Sequence, residues 1–132
     1  MKRRKPISFK RGQTTWTNIE HPKKSDILQI AQRLKIEPGH VETLLNPTPR
    51  TRLFESSRYL LLVVTHPMFD AEGDDIVLKE LNIILSAREI VTLHHQRVAY
   101  VSDAFHQMRE SNSRAMKHPA QILGGLLHGL WT

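Results

Sequence analysis

The clearest pattern in the chain is the unbroken apolar run Leu60, Leu61, Leu62, Val63 and Val64. A short run apolar at every position predicts a strand over residues 58–66 covered on both faces. Other segments follow the same logic. Residues 14–19 (TTWTNI) are β-branched and aromatic and predict a short strand, ended by His21-Pro22. Ile27, Ile30, Ala31 and Leu34 recur at helical spacing, so residues 25–35 predict an amphipathic helix with Ser25 as N-cap and Asp26 in its first turn. Pro38 stops that helix and suits the start of a second one over 39–45, with Val41, Leu44 and Leu45 inward. Asn46-Pro47-Thr48-Pro49 forbids continuation.

Strands are predicted over 50–55, 58–66, 76–85 and 89–94. Their short links suggest an antiparallel meander, with the acidic stretch 70–75 as a turn. Val98, Val101, Phe105 and Met108 restore helical spacing, and Ser111-Asn112-Ser113 breaks it. His118-Pro119 opens a last helix carrying Ile122, Leu123, Leu126, Leu127 and Leu130. The order is β, α, α, four β, α, α. It predicts an α/β fold: a mixed, largely antiparallel sheet between helical layers.

The chain has 132 residues, which favours one domain able to bury its own core. It holds no cysteine, which excludes disulfides and thiolate metal sites. Its net charge of +6 is uneven. Lys2, Arg3, Arg4, Lys5, Lys10 and Arg11 crowd the start, so residues 1–13 read as a basic, flexible arm and 14–132 as the domain. Such an arm can meet anionic lipid or nucleic acid. Beyond it, no surface interleaves aromatic and basic residues, which disfavours a nucleic-acid-binding module. No run approaches the ~20 apolar residues of a membrane span, so a soluble piece is expected.

Candidate chemistry is thin. No nucleophile motif, phosphate loop or zinc-helix motif appears, so no enzyme is expected. His94 and His95 are adjacent on a predicted strand and point to opposite faces, so they cannot readily share one ion. His66 with Asp70 and Asp74 reads as an exposed turn, and the acidic stretch lacks calcium-loop spacing. The Gly124-Gly125 pair predicts close helix packing, and Trp16 and Trp131 predict core or interface anchors.

In order and spacing these stations resemble one family. They are Trp16, the helix 26–34, Glu37-Pro38, Glu42-Thr43-Leu44-Leu45-Asn46, Arg50-Thr51-Arg52, the strand 59–64, the acidic stretch 70–75, Ile90-Val91-Thr92-Leu93, and the leucine-rich end 118–131. The chain resembles the soluble cytoplasmic domain of CorA-type magnesium and divalent-cation transporters, ZntB-like members included. The resemblance implies a regulatory domain that senses Mg²⁺, or Zn²⁺ or Co²⁺, between subunits. It implies a homo-pentamer in full-length form, a possible monomer as an isolated domain, and the chain's own transmembrane region as partner. It places the ion site at Glu42 and Thr43, with Glu37 as a lesser candidate. Thr43 stands where the family has a second carboxylate, Glu37 where it has histidine, and Arg50-Thr51-Arg52 where it has Arg-Pro-Lys. The stalk, membrane helices and Gly-Met-Asn signature are not in this sequence. The chain therefore reads as a piece of a longer transporter, or alternatively as a soluble stand-alone relative.

Overall fold

The computed structural model describes residues 6–47, 50–69, 75–111 and 118–130. The strands are β1 (Ile7–Arg11), β2 (Thr14–Glu20), β3 (Arg52–Glu55), β4 (Tyr59–Phe69), β5 (Ile76–Ser86) and β6 (Glu89–His94). The helices are α1 (Lys24–Leu34), α2 (Pro38–Leu45), α3 (Ala99–Glu110) and α4 (Pro119–Leu130). The strands form one sheet in the order β1-β2-β6-β5-β4-β3. The meander β3 to β6 is antiparallel throughout, while β2 lies parallel to β6, with Trp16 opposite Ile90 and Asn18 opposite Thr92. The fold is thus the mixed sheet between helical layers that the pattern predicts.

Alternation sorts the side chains. Leu61 and Val63 face one way, and with Ile84, Val91 and Leu93 they bury Ile27, Ile30 and Ala31 of α1 and Leu44 of α2. Val64 faces the other way, and with Trp16, Leu81, Ile83 and Ile90 it meets Val101 and Phe105 of α3 and Ile122 and Leu126 of α4. Both faces of β4 are thus packed, Leu61, Val63 and Val64 fully buried and Leu60 and Leu62 half-buried, as the all-apolar run requires.

Several boundaries differ from the sequence expectation. Residues 7–11, expected within a flexible arm, form strand β1 along β2. Ile7 and Phe9 alternate with Ser8 and Lys10 and pack on the α3/α4 side. Arg11 is no free cation. Its guanidinium donates to the carbonyls of Met108 (2.9 Å) and Arg109 (2.8 Å), among the last carbonyls of α3, where no later helical N–H can reach them. Residues 1–5 lie outside the described residues.

The N-cap of α1 is Lys23 and not Ser25, because Asp26 reaches back to accept the Lys23 N–H at 2.8 Å. The helix ends where Lys35 turns left-handed, at φ 56°. Strand β4 runs on through Pro67. The Thr65 N–H points away from β5 to Thr51 Oγ1 (3.1 Å), and the Pro67 nitrogen, two residues on, shares that side. There β3 has already ended, so the missing N–H leaves no ladder bond unmade. The acidic turn expected at 70–75 lies outside the described residues except for Asp75, as do Asn112, Ser113 and Trp131.

Gly124 and Gly125 do not mark the close approach expected of them. A Cβ at either would meet nothing within 4 Å. The tight position is Gly129, where a Cβ would fall 1.7 Å from Tyr100 Oη of α3. Tyr100 Oη also donates to the Gly125 carbonyl at 3.3 Å, so the two helices are joined. Gly124→Ala is therefore expected to raise stability by about 0.5–1 kcal/mol in urea unfolding, by restoring helix propensity without a clash. A loss of stability would show that this face of α4 is covered.

Candidate functional site

Helix α2 and its N-cap carry the three residues that the sequence singles out for a cation. The helix starts at Pro38, whose missing N–H is no loss at a helix start, and Leu44 anchors it in the core. Glu37 is the extended N-cap residue before the helix, and within the helix Thr43 lies about 100° around the axis from Glu42. Glu37 turns to His40 and Glu42 to Asn46, so the three do not converge.

Their partners say the same. Glu42 is exposed, and its Oε2 accepts from Asn46 Nδ2 one turn on, at 2.9 Å. It lines a groove of about 410 Å³ with Pro22, Lys24, Ile27, Leu45, Asn46 and His95. The Thr43 hydroxyl donates back to the Gly39 carbonyl at 3.3 Å. Glu37 Oε2 lies 3.3 Å from His40 Nδ1, which also sits 2.6 Å from Tyr59 Oη. That Tyr59 oxygen accepts the Glu37 backbone N–H at 3.0 Å and so holds the start of α2.

Among the described residues no three His, Asp or Glu side chains gather as an ion would need. Within one chain, Glu42 offers one carboxylate beside the carboxamide of Asn46, with the Lys24 ammonium on the same groove. Such a donor set fits a hydrated ion held through its water, since Mg²⁺ keeps several waters and takes only one or two carboxylates. It does not fit a dehydrated ion.

The histidines sort by face. The His95 ring leaves the sheet towards α2, where Nε2 meets the Leu44 carbonyl at 3.0 Å, and burial lowers its pKa. His94 points the other way, into the α3 layer, and is fully buried. The two cannot share an ion. His66, Asp70 and Asp74 have side chains outside the described residues.

The sequence reading missed a buried polar chain on the α3 face. Trp16 Nε1 donates to Thr92 Oγ1 (3.1 Å), and the Thr92 hydroxyl donates to Asn18 Oδ1 (2.7 Å). His94 Nε2 lies 2.6 Å from the same Asn18 oxygen, and His94 Nδ1 accepts the Val98 backbone N–H at 3.0 Å. One nitrogen must donate and the other accept, so the ring is the neutral Nε2–H tautomer. Burial pushes its pKa down to about 4, against the pull of Glu20 and helped by Arg97 and His21. Beside it the Ser102 hydroxyl donates to Glu20 Oε2 at 2.6 Å, and Arg97 Nε sits 3.5 Å from Glu20 Oε1. The signal was in the alternation: Asn18 and Glu20 on β2 lie opposite Thr92 and His94 on β6, all on one face.

A family model described as CorA-like Mg²⁺ transporter protein matches residues 11–131. A search of curated proteins finds no match. Solved structures share the fold. The full-length CmaX protein gives a TM-score of 0.74 at 15% identity, over 89% of this chain and 36% of that one. The complete CorA magnesium transporter from Methanocaldococcus jannaschii gives 0.67 at 15%, over 94% and 39%. The ZntB cytoplasmic domain from Vibrio parahaemolyticus RIMD 2210633 gives 0.69 at 14%, over 89% and 47%. The chain thus spans well under two thirds of the length of each. At these identities the likeness concerns the fold.

Proposed function

The chain belongs to the CorA-like Mg²⁺ transporter family, and from that premise we propose that it is the regulatory domain of a divalent-cation transporter, ligating ions and catalysing nothing. In the full-length protein it stands on the cytoplasmic side, joined to its own transmembrane region and assembled as a homo-pentamer. Among the described residues no helix is long and apolar enough to cross a membrane.

The observation that carries the reading is Glu42, exposed on α2 at the mouth of a groove. Glu37, Glu42 and Thr43 face apart, so one chain brings one carboxylate to a given ion. The remaining oxygens come from water and from a neighbouring subunit. Thr43 serves as a water-mediated neighbour, and Glu37 as a separate, lesser contact. Carboxylate, carboxamide and water oxygens are the donor set that suits Mg²⁺, whereas Zn²⁺ and Co²⁺ are also well served by imidazole. An ion held between subunits favours the assembly that holds it best and so biases the transporter between states.

Calorimetric titration of the full-length pentamer with Mg²⁺ and with Zn²⁺ tests this. Glu42→Ala is expected to weaken Mg²⁺ binding tenfold or more, a loss of about 1.4 kcal/mol or above. Binding indifferent to Glu42 would remove the site, and no detectable Mg²⁺ binding would overturn the ion assignment.

A further inference from the structure

Helix α3 is held at both ends by side chains from the sheet. At its C-terminal end Arg11 of β1 grips the Met108 and Arg109 carbonyls. At its start the grip is the His94 imidazole, whose Nδ1 accepts the N–H of Val98, the N-cap residue. The Val98 carbonyl in turn accepts from Val101 (3.1 Å) and Ser102 (3.2 Å), so the first turn is built on the residue His94 holds. We propose that the β6–α3 junction is a proton-operated latch: neutral His94 holds the first turn of α3 on the sheet, and protonation of its imidazole releases that turn.

The chemistry allows no halfway state. A protonated Nδ1 carries a hydrogen aimed at the Val98 hydrogen, so two donors face each other in a site without water-facing surface. Turning the ring over offers no escape, because a charged imidazole has no acceptor nitrogen to present to Val98 in either orientation, and Nε2–H would lose Asn18 Oδ1. The first turn must therefore leave before the charge is accepted.

The charged groups around the ring are arranged for two states. Glu20 of β2 is the acid of the site, now held by Ser102 of α3 and by Arg97 of the β6–α3 connection. Arg97 is itself tied to Asp103 of α3 (3.7 Å), and its carbonyl accepts from Lys79 of β5 (3.0 Å). His21, after β2, adds a further positive influence when charged. When the turn leaves it takes Ser102 away, and Glu20 becomes the natural counter-ion of a charged His94. Arg11 keeps the far end in place, so the motion is a swing about the C-terminal end of α3. Tyr100 carries it to α4 through its contacts at Gly125 and Gly129.

The sign follows from linkage. His94 titrates at about 4 when latched and near 6.5 when free, so the latch is complete above pH 6.5 and is lost as pH falls towards 4. Opening should grow roughly twentyfold between pH 7 and pH 5.

The experiment is amide hydrogen exchange by NMR on this chain, corrected for intrinsic rates, with the His94 ring followed in parallel. Exchange at residues 98–105 should rise by that factor while α1 amides stay within about twofold. In His94→Gln, whose amide can both accept and donate without titrating, the rise should vanish. The latch is overturned if α3 protection is independent of pH, if the variant shows the same rise, or if α1 and α2 open in step with α3. Should the variant not fold, the wild-type comparison of α3 with α1 decides.

Discussion

Replacing Trp16 with alanine should cost about 3–5 kcal/mol, read as a lowered urea midpoint at unchanged slope. Trp16 is fully buried and stands where three elements meet. Its ring lies edge-on to Phe105 of α3 (5.1 Å, 86°) and tilted against Phe9 of β1 (6.2 Å), while Phe9 and Phe105 touch at 5.1 Å. Removing the indole opens a cavity bordered by rings that cannot collapse without moving β1 or α3. It also removes the donor to Thr92. Trp16→Phe keeps most of the volume and should cost less than half as much. A loss below about 1.5 kcal/mol for the alanine variant would mean that the cluster repacks, contrary to the geometry.

The second large effect is polar. Asn18→Ala should destabilise the chain by about 2–4 kcal/mol, although it deletes only a small side chain. Asn18 Oδ1 is the acceptor for both Thr92 and His94, and all three residues are buried. Its loss strands the His94 donor where water cannot reach it and leaves the Thr92 hydroxyl only the Thr17 carbonyl at 3.5 Å, and an unsatisfied buried group costs about 1–3 kcal/mol. A double-mutant cycle with Thr92→Val separates this from simple volume loss. Removing Asn18 when Thr92 is already absent should cost clearly less. Additive losses would show that the network is not coupled.

The order of elements was legible because the patterns were unmixed. Leu60–Val64 is apolar throughout, and the core positions of α1 and α3 follow helical spacing. Strand β1 was obscured by charge. Lys10 and Arg11 drew attention to solvent, yet Ile7 and Phe9 alternate as a strand should, and Arg11 serves a helix end. The parallel β2–β6 pair left no local trace, since β2 has no strand neighbour downstream until β3 and its partner is set by tertiary packing. Gly124-Gly125 was misleading because a glycine records only that a side chain is absent, not what fills the space. In the site, the sequence named Glu42, Thr43 and Glu37, but closeness in sequence on a helix is not convergence. The buried His94 network went unnoticed because its members lie far apart in the chain, and only the sheet register puts them on one face.

The parallel pair also sets an order of assembly. Hairpins β3–β4, β4–β5 and β5–β6 close short loops, so the meander can form from local encounters. Joining β2 to β6 is different: Trp16 meets Thr92 across 76 positions of chain. That closure carries the largest entropic penalty in the sheet and belongs late in the folding path. During synthesis the first half of the molecule emerges with one edge of β2 open, and it stays so until β6 has been made. The junction between the second and third of the six strands is therefore a seam, sewn last, between an early-made N-terminal pair and a later meander.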